Sequence, residues 1–172
     1  SEELKDDKTI DKQILDGFIR QLGIRSRGKS IKPRDYQIDA VEYAIRKHRS
    51  LLLSPTASGK SLIIYILVRY YTLLLKEQQN DKILILVPTT SLVEQMTSDF
   101  IDYGWLEAHI QKVYSGHDRN VTKDVVVSTW QSLYKMPTSY FQQFGMIVGD
   151  EAHLFKAKSL TTILTKLHQC KY

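Results

Sequence analysis

The sequence holds a single cysteine, Cys170, so no disulfide bond forms within the chain. Disulfide frameworks are typical of secreted proteins, and their absence predicts a reducing, cytoplasmic location. With one cysteine, and five histidines that show no metal-ligand spacing, a zinc site is not expected either. We therefore predict a protein without a structural metal.

Long hydrophobic runs are also missing. The longest apolar stretch, residues 62–75, contains Arg69 and is too short to cross a bilayer, so no membrane partner is expected. Lys and Arg outnumber Asp and Glu by 24 to 19, a mild excess that is compatible with a polyanionic partner but does not require one. A length of 172 residues fits one domain, or one domain with an appendage.

The segment 54–61, Ser-Pro-Thr-Ala-Ser-Gly-Lys-Ser, follows the apolar run Leu-Leu-Leu and predicts a strand, a tight loop and the start of a helix. Such a loop directs backbone N–H groups inward and ends at the positive end of a helix. Lys60 adds a cation for terminal phosphates, and the Ser61 hydroxyl is placed to hold Mg²⁺. The segment predicts a site for ATP with Mg²⁺, lined by Pro55, Thr56, Ala57, Ser58, Gly59, Lys60 and Ser61.

The loop departs from the full phosphate-loop pattern at Ser54, where glycine is usual. Only the last three residues of the pattern, Gly59-Lys60-Ser61, are present. Taken alone, they could equally form an ordinary turn between two secondary-structure elements. The other motifs of the chain decide between these interpretations.

Gln37 lies about twenty residues before the loop, in a predicted helix that begins near Pro33. A glutamine amide donates and accepts together, which matches the N6/N7 edge of adenine. Arg34 shares a helical face with Gln37. The two are candidate adenine contacts, and the alternative is a solvated helix surface.

Apolar strands alternate with helices along the chain, which predicts an α/β fold with a mostly parallel sheet and helices on both faces. The predicted strands are residues 82–87, 110–114, 125–130 and 146–149. Polar residues follow the strand ends, where open α/β sheets bind ligands.

The basic segment 25–30 is predicted to be a loop. It is interpreted as a solvated linker, with a nucleic-acid contact as the more specific alternative.

Two carboxylates, Asp150 and Glu151, directly follow the last apolar strand, and packing explains them poorly because buried carboxylates are costly. Beside a phosphate loop, Asp150 is a candidate Mg²⁺ ligand and Glu151 a candidate base for the attacking water. The catalytic candidates are therefore Glu151, Lys60 and Asp150. His153 is either a buried structural histidine or a residue that couples the ATP site to another site.

The motifs together resemble the first motor domain of superfamily 2 helicases of the DEAH-box type, a RecA-like phosphate-loop NTPase, and most of all helicases of T4-like phages. The stretches that carry the resemblance are residues 34–37, 55–61, 87–95, 127–131 and 150–153. The resemblance implies an ATP-dependent DNA helicase or translocase that acts on branched or forked DNA in phage recombination, repair or replication, in the cytoplasm of a bacterial host. It also implies contacts to the nucleic-acid backbone from Pro88, Thr89, Thr90, Ser128 and Thr129.

Apolar periodicity and composition predict an N-terminal helix and basic linker in residues 1–32. The resemblance implies that residues 33–172 are an incomplete ATP-binding domain. A second motor domain with arginine fingers is expected as a partner in cis, so this chain alone is expected to hydrolyse ATP weakly or not at all. Three alternatives stay open: the motor subunit of a restriction system, an RNA helicase, and a nucleic-acid-binding module that ATP switches. The candidate base Glu151 argues against the last, because a switch needs no catalytic base.

Overall fold

The computed structural model describes residues 11–47 and 59–149. The first range holds α1 (Lys12–Leu22), β1 (Arg25–Ser26), β2 (Lys29–Ser30) and α2 (Asp35–Lys47). The second range holds α3 (Lys60–Leu74), β3 (Lys82–Val87), α4 (Thr90–Tyr103), β4 (Ile110–Val113), β5 (Val125–Thr129), α5 (Trp130–Leu133), α6 (Thr138–Phe141) and β6 (Phe144–Gly149). A short 3₁₀ turn, Glu107–His109, precedes β4.

Four strands form one parallel sheet in the order β4-β5-β3-β6. Ile85 at the middle of β3 is in register with Val127 of β5 on one side and Val148 of β6 on the other. Five of the six residues of β3 are buried, as its continuous apolar run predicts for a central strand covered on both faces. The predicted parallel sheet is therefore confirmed.

Each face of the sheet is covered by its own apolar cluster. Alternate β3 residues divide between the clusters: Ile83 and Ile85 pack with residues of α1 to α4, whereas Leu84 and Leu86 pack with residues of α5 and α6. This division follows from the two-residue period of a strand. Helices therefore lie on both faces, as predicted.

The ends of α1 and α4 follow from local side-chain chemistry. The Asp11 carboxylate accepts a hydrogen bond from the N–H of Ile14 at 2.8 Å, and Gly23 ends α1 in the left-handed conformation with a φ of 61°. The Thr89 hydroxyl accepts from the N–H of Leu92 at 3.2 Å and so caps the start of α4. The start predicted for α2 was early, since Pro33 lies two residues before its first residue.

The basic segment 25–30 is not the loop that the sequence predicted. It forms an antiparallel hairpin in which Arg25 pairs with Ser30 and Ser26 pairs with Lys29. Its two turn residues, Arg27 and Gly28, have positive φ of 54° and 78°, the type I′ pattern that suits the twist of a hairpin.

Among the described helices, none has the length and apolar character needed to span a membrane.

Candidate nucleotide-binding site

The N-terminus of α3 is the part of the predicted phosphate loop that the structure describes. Gly59 precedes the helix with a φ of 73°, a conformation that favours glycine, and no side chain caps the helix there. The N–H groups of Leu62 and Ile63 already bond to the Gly59 carbonyl oxygen. The N–H groups before them lie at the positive end of a 15-residue helix, which suits an anion such as a phosphate.

Gln37 connects the start of α2 to the start of α3. Its amide oxygen accepts a hydrogen bond from the N–H of Arg34 at 2.8 Å, and its amide nitrogen donates to the carbonyl oxygen of Gly59 at 3.1 Å. The side chain is buried, with 5% of its surface exposed. An amide has two N–H groups and two lone pairs, so these bonds use half of its capacity and leave the predicted adenine contact chemically feasible.

The backbone of Gly59 lies close to the Gln37 amide. A Cβ at Gly59 would collide with the Gln37 amide nitrogen and would lie 3.3 Å from the Tyr36 hydroxyl. The positive φ of Gly59 favours glycine, and a larger residue would also displace the hydrogen-bonded Gln37 side chain. The sequence identified both Gln37 and Gly59, and the structure brings them into direct contact.

Ser61, the candidate Mg²⁺ ligand, shares a hydrogen bond with a residue that the sequence did not single out. Its hydroxyl oxygen lies 2.7 Å from that of Tyr103, the last residue of α4. Burial raises the pKa of Tyr103, and the bond to Ser61 acts against that rise. When Ser61 donates this bond, the lone pairs of its oxygen stay available to a cation, so the arrangement fits Mg²⁺.

The candidate nucleic-acid residues lie at the carboxyl ends of two neighbouring strands, because Val87 of β3 is in register with Thr129 of β5. Thr89 and Thr90 are exposed there, and Pro88 is half-buried. Ser128 is instead fully buried and donates to the carbonyl oxygen of Thr129, whereas the buried Thr129 hydroxyl bonds to that of Ser132. Of the five, Thr89 and Thr90 are the side chains presented to solvent.

The remaining candidates, residues 55–58 with Asp150, Glu151 and His153, lie outside the described residues, as does the strand predicted at 51–53. β6 ends at Gly149, in register with Leu86 of β3, and Asp150 is the next residue in the sequence. Within the described ranges, no cluster of three or more His, Cys, Asp or Glu is suited to a metal.

A parallel sheet covered on both faces, with an uncapped helix start that carries Gly-Lys-Ser, defines a RecA-like phosphate-loop NTPase domain. The comparison with known proteins agrees. Residues 30–172 match the family model "Type III restriction enzyme, res subunit". The chain therefore belongs to this family.

Several relatives are helicases or translocases. The chain is 39% identical to the ATP-dependent DNA helicase UvsW of Enterobacteria phage T4, over 99% of this chain and 34% of that protein. It is 27% identical to the DNA 3'-5' translocase XPB2 of Sulfurisphaera tokodaii, over 72% of this chain and 25% of that protein. A crystal structure of UvsW superimposes with a TM-score of 0.80 at 40% identity, over 94% of this chain and 58% of that one. The chain thus spans about a third or less of the length of these curated relatives.

Proposed function

We propose that the chain is the ATP-binding motor domain of a DNA helicase or translocase that acts on branched or duplex DNA. The observation that carries this proposal is the contact of Gln37 with Gly59. This contact supports the proposal because the Gln37 amide, the candidate adenine contact, bonds to Gly59 of the predicted phosphate loop, so base and phosphates would be held by adjoining groups. The similarity to UvsW, a DNA helicase, supports DNA over RNA as the partner.

We assign the roles within the site as follows. Gln37 and Arg34 would contact adenine, residues 55–60 the phosphates, and Ser61 with Asp150 the Mg²⁺, which when bound neutralises charge on the phosphate oxygens. Glu151 would accept the proton of the attacking water, and His153 would couple hydrolysis to the nucleic-acid site. Thr89 and Thr90 are exposed at the strand ends and would hold the nucleic-acid backbone without reading sequence.

Full activity is proposed to need a second motor domain that supplies arginine fingers, since such a residue contributes about 10³–10⁵ in rate in related phosphate-loop enzymes. The 172-residue chain alone is therefore expected to bind ATP weakly and to hydrolyse it very slowly. We further propose that residues 33–172 form the ATP-binding domain and that the protein acts in the cytoplasm of a bacterial host.

The test is ATP turnover by the complete protein that carries this domain, with forked DNA, with matching RNA and without nucleic acid, beside a Glu151→Gln variant. Strong stimulation by DNA that Glu151→Gln abolishes is the expected result. Stimulation by RNA alone would instead identify an RNA helicase. Tight ATP binding without turnover would indicate a nucleic-acid-binding module that ATP switches.

A second candidate is the motor subunit of a restriction system, which the description of the matching family favours. Both candidates predict the same ATP-driven movement on DNA by this domain. They differ in cleavage: a restriction complex cuts DNA in an ATP-dependent reaction, whereas a helicase leaves the strands intact. Incubating plasmid DNA with the complete protein, ATP and Mg²⁺ separates them.

A further inference from the structure

The hairpin of β1 and β2 is a basic surface that the proposed motor chemistry does not use. Between Ile24 and Lys32 the chain carries four cations and no acidic residue. Their side chains are all exposed: Arg25, Arg27, Lys29 and Lys32. Within the part of the chain that the structure describes, none of the four forms an ion pair.

The hairpin is held in one orientation by Asp102, near the C-terminal end of α4. One oxygen of the Asp102 carboxylate accepts from the N–H of Arg27 at 2.9 Å, and the other accepts from the Ser26 hydroxyl at 3.2 Å. Both bonds come from the backbone or from a serine, so the carboxylate orients the turn without pairing with a cationic side chain. The residues that flank the hairpin, Ile24 and Ile31, pack into the core and bond to each other through their backbones at 3.0 Å.

We propose that this hairpin binds the phosphate backbone of a duplex DNA arm. Guanidinium groups pair with phosphate in a bidentate geometry, and an anchored turn presents them with little loss of backbone freedom on binding. The inference rests on the proposed function, since it takes DNA as the partner.

The position of the hairpin on α4 separates it from the sheet edge, where a strand is proposed to contact Thr89 and Thr90. Thr89 and Thr90 lie at the N-terminal end of α4, and Asp102 lies near the other end. A helix of 14 residues is about 21 Å long, the length of roughly six base pairs. A strand contacted at Thr89 therefore leaves room for a duplex of that length before the DNA reaches the hairpin.

The test is the affinity of the 172-residue chain for fluorescein-labelled forked DNA, measured by anisotropy between 50 and 200 mM KCl (about a fourfold range of salt). The variant Arg25→Gln/Arg27→Asn/Lys29→Gln removes three cations. Asparagine is chosen at residue 27 because it tolerates the positive φ of that turn position. The control Arg46→Gln/Lys76→Gln/Lys135→Gln removes three cations elsewhere. Three lost phosphate contacts predict an affinity about ten-fold or more weaker, and a salt slope lower by about 3, relative to the control.

A second pair of variants tests the anchor. Asp102→Ala removes an acidic residue, which by charge alone would strengthen DNA binding, yet it is expected to weaken binding because the hairpin loses its support. Asp99→Ala removes the same charge from the same helix and should not weaken binding. Fork binding that is equal in the hairpin and control variants, or strengthened by Asp102→Ala, would overturn the inference and leave the proposed function intact. Absence of any fork binding by wild type, together with no DNA-stimulated turnover by the complete protein, would overturn both.

Discussion

The hydroxyl oxygens of Ser61 and Tyr103 lie 2.7 Å apart, although 42 residues separate them in the chain. The bond joins the first turn of α3, where the candidate Mg²⁺ ligand lies, to the last residue of α4. The ring of Tyr103 also packs against Tyr65, one turn further along α3, with the ring centres 5.3 Å apart. Packing and hydrogen bonding thus hold Tyr103 in place beside Ser61.

The substitution Tyr103→Phe is expected to weaken Mg²⁺-dependent nucleotide binding. Tyr103 fixes the direction of the Ser61 hydroxyl hydrogen, and a hydrogen bond of this kind contributes about 1 kcal/mol, or roughly a five-fold change in affinity. The measurement is titration with a fluorescent ADP analogue, in Mg²⁺ and in EDTA. Only the Mg²⁺ titration should change, and Tyr43→Phe, at an exposed position, should change neither. Equal affinities for Tyr103→Phe and wild type in Mg²⁺ would contradict this role.

The substitution Gln37→Glu is expected to destabilise the domain. It replaces the donor that bonds to the Gly59 carbonyl with a second acceptor, in a side chain that is 5% exposed. The Gly59 carbonyl oxygen keeps its bonds from the N–H groups of Leu62 and Ile63. The loss therefore comes from the new carboxylate, which is buried and faces that oxygen without a donor between them, at a cost of about 1–3 kcal/mol or more. Urea unfolding gives the free energy of unfolding. Gln131→Glu, at an exposed site in α5, is the matched control. An equal loss of unfolding free energy in the two variants would show that the buried Gln37–Gly59 hydrogen bond contributes nothing.

Two glycines are expected to respond in opposite directions to alanine. A Cβ at Gly145 would collide with the carbonyl oxygen of Asn80 and lie 2.6 Å from a Leu75 methyl group, so Gly145→Ala should lower the free energy of unfolding by about 1–3 kcal/mol. A Cβ at Gly17, inside α1, meets no atom within 4 Å. Gly17→Ala should therefore raise stability by about 0.5–1 kcal/mol. Thermal and urea unfolding of both variants measure this, and a Gly145→Ala protein as stable as wild type would refute the close packing.

Stability is expected to fall at alkaline pH through Tyr140. Burial raises the pKa of its phenol to about 12, and the hydroxyl donates to the carbonyl oxygen of Arg119 at 2.7 Å. Below about pH 10 the phenol is protonated in both the folded and unfolded chain, so it adds no pH dependence. Between about pH 10 and 12 only the unfolded chain releases the proton, and the free energy of unfolding falls as pH rises, by roughly 2–3 kcal/mol.

The variant Tyr140→Phe should lose that part of the alkaline slope, at the cost of about 1 kcal/mol at neutral pH for the lost hydrogen bond. Urea unfolding at pH 8 to 11.5 compares the two proteins. The other tyrosines and lysines titrate alike in both, so the difference isolates Tyr140. Parallel curves for variant and wild type would contradict the assignment.

Local patterns predicted the fold well. The five consecutive apolar residues of β3 favour a short strand buried on both faces. Thr89 favours the start of a helix because its hydroxyl supplies an acceptor for an otherwise unpaired N–H group. The hairpin was missed because strands of two residues are too short to show alternation, and Arg-Gly is not among the dipeptides that mark a type I′ turn most strongly.

The sequence indicates candidate site residues where they belong to a short motif. It does not indicate those whose role depends on contacts between distant parts of the chain. Gln37 and Gly59 are residue types that adenine and phosphate binding would require, so the sequence alone indicated them as candidates. Tyr103 belongs to none of the motifs, since its contact with Ser61 depends on the packing of α4 beside α3. The burial of Ser128 was equally unpredictable, because it depends on packing beneath the strand end and not on the residue itself.

The helix α4 joins three of the features described above, with Thr89 at one end and Asp102 and Tyr103 at the other. A rigid rod of about 21 Å behaves as a lever, so a tilt of roughly 3° about one end displaces the other by about 1 Å. That displacement is comparable with the tolerance of a hydrogen bond such as the one between Tyr103 and Ser61. A tilt of α4 caused by a contact at Thr89 would therefore displace both Tyr103, beside the candidate Mg²⁺ ligand Ser61, and Asp102, which holds the hairpin.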